Sequence, residues 1–156
     1  MCWNILSRIT GTHERPSPSD ITPRGALMHL EDTGMVHIDL SKISIPFTKT
    51  PRVWILPVAG TGSMDPVMDA GHNDILVAGA DEQEQGILHN WLSQQPPGNI
   101  VVYRIPEKIY AIHRITKVEW DTEGVKYTLK GDNNPSSDPY VVRSSNIEWV
   151  SIGTIY

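Results

Sequence analysis

Only one cysteine, Cys2, occurs among the 156 residues, so no internal disulfide can form and nothing points to an oxidising compartment. No stretch approaches the roughly 20 apolar residues that a membrane-spanning helix requires. Residues 1–8 also lack a basic segment followed by an apolar core of about 7 residues or more, so they do not read as a secretory signal. A chain without an integral membrane segment, resident in the cytoplasm, is the expectation. A basic excess is absent too. Lys and Arg number 13 against 18 Asp and Glu, a net charge of -5, whereas a nucleic-acid partner needs a basic face. His13, His29, His37, His72 and His89 show no paired ligand spacing, so no metal is expected. Gly60-Thr61-Gly62 lacks the further glycines of a dinucleotide loop, the P-loop lysine is missing, and no cofactor is expected.

What is there suits one domain of ordinary size. Ile (17) and Val (12) outnumber Leu (9) about three to one, and β-branched side chains fit pleated, half-buried surfaces. Residues 11–25, with Pro16, Pro18, Pro23, Gly11 and Gly25 among Ser and Thr, interrupt any regular element. The division expected is an N-terminal arm or linker over 1–34 and a β domain over 35–156. Strand-like runs follow at 35–40, 53–58, 74–78, 99–103, 110–119, 125–130 and 147–155. Residues 81–95 predict a helix, with Asp81, Glu82 and Glu84 at its start and Ile87, Leu88 and Leu92 on one side, stopped by Pro96-Pro97-Gly98. The fold class is therefore mostly β, a small antiparallel barrel or sandwich with one short helix. The scattered tryptophans Trp3, Trp54, Trp91, Trp120 and Trp149 read as core or interface anchors, and a homodimer or larger assembly is compatible with them.

Three segments carry chemistry. Gly60-Thr61-Gly62-Ser63-Met64-Asp65-Pro66 follows directly on a strand-like run. A serine in such a turn has room for a carbonyl to approach and turn amides to receive an oxyanion, although a turn whose Ser63 bonds its own backbone has the same sequence. The second segment, 99–115, reads as a hairpin with His113 on the returning strand. A neutral imidazole can take a serine proton, and a lone strand histidine can equally be structural. The third is Lys130-Gly131-Asp132-Asn133-Asn134-Pro135-Ser136-Ser137-Asp138, a polar loop in which an aspartate either caps the turn or orients His113.

Gly-Ser-Met-Asp-Pro at 62–66, Asp-Ile-Leu-Val at 74–77, Gly-Asn-Ile-Val-Val-Tyr at 98–103, Ile-His-Arg-Ile at 112–115 and Lys-Gly-Asp-Asn-Asn at 130–134 come in an order that resembles the boxes of type I signal peptidases. The resemblance covers about 53–155 and extends to LexA-type repressors and UmuD-type self-cleaving proteins, which share that superfamily. It implies a serine endopeptidase with Ser63 as nucleophile. His113-Arg114 resembles the archaeal and endoplasmic-reticulum variant, in which histidine replaces lysine as the base. It further implies Asp138 as the residue that orients His113, with Asp132, the competing aspartate, as support for the loop. Thr61, Gly62 and Met64 fall in the part of the turn that faces substrate or oxyanion, Met64 as a shaping residue.

The implied substrate is a peptide or protein with small residues at the cleavage site, extended along the strand at 53–59. Signal peptidases carry a membrane anchor ahead of the serine box, and here a polar, proline-rich arm stands in its place. The segment 79–97 looks inserted between core strands, and Asp138-Pro139-Tyr140 lacks the arginine that often follows the last aspartate. Two other readings follow from that layout. One is a UmuD-like or LexA-like regulator that cuts its own arm, with Gly11-Thr12 and Gly25-Ala26 as exposed small-residue sites. The other is a catalytically silent β-barrel module used for binding or assembly.

Overall fold

The computed structural model describes residues 45–106 and 109–155. The arm at 1–34, its two candidate cleavage points and the strand expected at 35–40 lie outside these residues. The remaining strand-like runs each form a strand, so the described part is mostly β. The strands are β1 (Arg52–Pro57), β2 (Asn73–Ala78), β3 (Ile100–Arg104), β4 (Tyr110–Asp121), β5 (Gly124–Lys130) and β6 (Ile147–Ile155). The helix α1 (Glu82–Ser93) lies between β2 and β3. All pairings are antiparallel and make one six-stranded sheet in the order β1-β2-β6-β3-β4-β5, with β1 and β5 at its two ends.

Strand periodicity accounts for the core. In β5 the alternating residues Val125, Tyr127 and Leu129 are buried, and in β3 Val101 and Tyr103 point the same way. With Leu88 and Leu92 of α1, Ile115, Val142, Ile147 and Val150 they form the main core. Val102, on the opposite side of β3, joins Ile112, Leu76, Ala78 and Trp149 in a smaller second cluster. The helix starts where expected because the Asp81 carboxylate accepts the Glu84 amide at 3.0 Å. Glu84 is itself buried and accepts from both the backbone and the hydroxyl of Thr48, which anchors the chain entering β1. Ile87, expected on the apolar side, is only half buried.

Strand β1 departs from this pattern. All six of its residues are exposed, including Trp54 at 51% and Ile55 at 45%. Trp54 stacks on Trp149 with ring centroids 4.6 Å apart, and the Arg52 guanidinium lies over the Trp149 ring. Among the described residues no helix is long and apolar enough to cross a membrane.

Candidate active site

Two loops and two strands make the site around Ser63. Beyond β1 the chain turns at Gly62, whose φ of 67° lies in the left-handed region that a side chain disfavours. Ser63 then opens a helical turn in which the Val67 and Met68 amides both donate to the Met64 carbonyl. The Met64 side chain is buried beneath this turn. Thr61 Oγ1 stands 3.1 Å from Ser63 Oγ and accepts the Ser63 amide at 3.4 Å.

The imidazole comes from the hairpin. Val101 pairs with His113 and Tyr103 with Ala111 across β3 and β4, so all three of Val101, Tyr103 and His113 lie on one face while Arg114 lies on the other. His113 Nε2 is 3.2 Å from Ser63 Oγ, and His113 Nδ1 is 2.8 Å from Asp138 Oδ2. An ionised carboxylate only accepts, so Nδ1 carries the proton and Nε2 presents a lone pair to the serine hydroxyl. The His113 and Asp138 side chains are 13% and 8% exposed, which shields their bond from bulk water.

The aspartates part company within one loop. The Asp138 amide donates to the Leu129 carbonyl at 2.8 Å, which folds residues 131–137 back and returns Asp138 to the sheet beside His113. Asp132 faces Arg114 in a two-pronged ion pair, Nε to Oδ1 at 2.8 Å and Nη2 to Oδ2 at 2.6 Å. Arg114 also donates to the Gly98 carbonyl at 2.7 Å, and its guanidinium is held above its ordinary range chiefly by Asp132. Between them, Asn133 donates its backbone N–H to the Ser63 carbonyl at 2.9 Å and its Nδ2 to the Gly62 carbonyl at 3.0 Å. The polar loop thus grips the serine turn directly. Gly131 permits this approach, since a Cβ there would stand 2.6 Å from the Ser63 carbonyl oxygen.

Sequence reasoning passed over two of these contacts. Asn133 is one. The other is Tyr103, whose hydroxyl donates to Asp138 Oδ2 at 2.7 Å, the same oxygen that His113 uses. The hairpin register held the signal for Tyr103, because it sets residue 103 diagonal to 113 and a buried phenol needs a partner. A cleft of about 530 Å³ lies between the β3–β4 hairpin, at Arg104 and Pro106, and the chain after Asp138, at Tyr140 and Val141, and neither Ser63 nor His113 nor Asp138 lines it. No group of three or more His, Cys, Asp or Glu that could hold a metal ion occurs among the described residues.

No protein-family model matches the chain, and no curated protein matches it. The chemistry open to the site therefore comes from its geometry: an alcohol, a base and an oriented acid in one line.

Proposed function

We propose that the chain is a soluble, cytoplasmic serine endopeptidase resembling signal peptidases, with Ser63 as nucleophile, His113 as base and Asp138 as the group that orients His113. The observation that carries this reading is the unbroken line from Ser63 Oγ to His113 Nε2, 3.2 Å, and from His113 Nδ1 to Asp138, 2.8 Å. As Ser63 Oγ attacks a peptide carbonyl, its proton passes to Nε2. Asp138 stabilises the resulting imidazolium. The imidazolium then protonates the leaving amine as the C–N bond breaks, and water repeats the sequence on the acyl-serine. The Ser63 amide, which meets Thr61 Oγ1 at 3.4 Å here, and the Thr61 hydroxyl would be the donors to the developing oxyanion. Asp132 serves the serine turn through its loop.

Two strand edges left open among the described residues suit an extended peptide. Among those residues β1 pairs only with β2, and residues 110–113 of β4 pair only with β3, since β5 begins its pairing at Arg114. A substrate strand lying on either edge gains backbone hydrogen bonds and leads toward Ser63. Small residues beside the scissile bond are the preference that the resemblance implies.

A fluorophosphonate tests the nucleophile. Attack by Ser63 Oγ expels fluoride and adds the phosphonyl group to the protein mass. The adduct is expected on the native chain and absent from Ser63→Ala, together with hydrolysis of peptides bearing small residues that falls by about 10⁴-fold or more in the variant. Absence of both adduct and hydrolysis from the native chain overturns the proposal.

A further inference from the structure

We infer that Tyr103 is a positioning residue of this site, acting through Asp138 to set the orientation and proton affinity of His113. The inference rests on the peptidase reading above. Asp138 Oδ2 accepts two hydrogen bonds, from Tyr103 at 2.7 Å and from His113 Nδ1 at 2.8 Å. Tyr103 is 1% exposed within the main core, and its ring centroid lies 6.3 Å from that of His113. Its hydroxyl is therefore held in place by packing, whereas Asp138 sits at the end of a polar loop, where its own amide donates to the Leu129 carbonyl. Burial, and then the Asp138 carboxylate, push the Tyr103 phenol far above its ordinary value, so it stays a donor.

A donor on the carboxylate oxygen has two consequences. It stops the carboxylate from rotating away from His113. It also spreads the negative charge that holds the imidazolium, so removing it leaves a carboxylate that binds the imidazolium proton more tightly. The other groups that face this cluster are Ser63 from the serine turn and Tyr140 from the chain beyond Asp138. Arg114 is turned to Asp132 on the opposite face of β4.

The test is Tyr103→Phe in the full chain, which deletes the hydroxyl and keeps the ring. For peptide hydrolysis, kcat is expected to fall about tenfold with KM within about twofold, as the loss of one bond to a charged group implies. In a Ser63→Ala background, the His113 ring resonances are expected to titrate about half a unit or more higher after Tyr103→Phe. A second substitution, 3-fluorotyrosine at position 103, strengthens the donor and is expected to move that midpoint the other way; it keeps the test decisive where Tyr103→Phe does not fold. An unmoved midpoint with kcat within twofold overturns the inference while leaving an active peptidase intact. A moved midpoint in a chain that hydrolyses no peptide and takes up no phosphonate overturns the peptidase reading and leaves the coupling of Tyr103 to His113 standing.

Discussion

Asp132 and Asp138 are chemically identical and belong to one loop, yet their surroundings assign them different work. Asp138 meets a ring nitrogen and a phenol, so in the proposed mechanism its charge bears on proton transfer. Asp132 meets a guanidinium, so its charge bears on the shape of the loop. Asp138→Asn is expected to lower kcat roughly 10³- to 10⁴-fold, because an amide in that place favours the wrong imidazole tautomer. Asp132→Asn is expected to destabilise the fold by about 1–3 kcal/mol through the partner left uncompensated, with a smaller effect on kcat. Steady-state kinetics beside urea melts of the two variants separate these roles, and equal losses of kcat would show that the assignment is wrong. The resemblance named Asp138, with Asp132 as its competitor, from their places in and after Gly-Asp-Asn-Asn. The bond of Asp138 to Tyr103 was not legible, because a sequence does not state which carboxylate a buried hydroxyl will find.

At the scale of elements, the serine turn and the polar loop depend on each other through backbone contacts. Gly131→Ala would force a Cβ to 2.6 Å from the Ser63 carbonyl oxygen and 2.7 Å from Asn134 Nδ2, so the loop or the turn must move. A displacement of about 1 Å at a reacting group costs roughly 100-fold in rate, which is the loss expected in kcat. Unchanged kcat would mean that the turn accommodates the methyl group without moving Ser63. Strands β2 and β6 are joined by a different device. Asp74 is 2% exposed and accepts from the hydroxyls of Ser151, at 2.8 Å, and Thr154, at 3.4 Å. Burial pushes its carboxyl up to about 6, and the two hydroxyls offset only part of that. The folded state therefore binds this proton more tightly than the unfolded chain. Asp74 stabilises the fold fully below about pH 4, and that contribution is lost as pH rises through about 6. Asp74→Asn, which keeps an acceptor for both hydroxyls, is expected to add about 1–2 kcal/mol at pH 8 and little at pH 4. Urea midpoints at the two pH values decide it, and an equal shift at both would remove Asp74 as the titrating group.

For the whole molecule, activity and folding are expected to respond differently to acid. An imidazolium cannot accept the serine proton, so hydrolysis should fall as pH is lowered from 8 to roughly 5. The fold should persist over the same range. Hydrogen bonds hold the Glu84 and Asp121 carboxyls below their ordinary range, from Thr48 and Arg143 respectively, so what these groups contribute is lost only at lower pH. Asp74 gains over that interval. Tryptophan fluorescence that stays constant while peptide hydrolysis disappears is the outcome expected. A rate that stays flat down to pH 5 would remove His113 as the base.

By itself the sequence determined the β character of the domain, the position of its helix and most strand limits to within a residue or two. Those features follow from local causes: the alternation in β5, the cap at Asp81, and Pro96-Pro97-Gly98 after α1. Through the resemblance it also marked Ser63, His113 and the two candidate aspartates Asp138 and Asp132, which stand in three separate segments. Only the tertiary structure decided that Ser63, His113 and Asp138 meet. The β3–β4 register chose the face of His113, the Asp138–Leu129 bond folded the loop back toward it, and Asn133 fastened that loop to the serine turn. The order of strands in the sheet, and with it the exposure of every residue in β1, was likewise decided by long-range pairing. Val53-Trp54-Ile55-Leu56 reads as a strand from its sequence, but its place at the end of the sheet leaves it with one partner strand, β2, among the described residues.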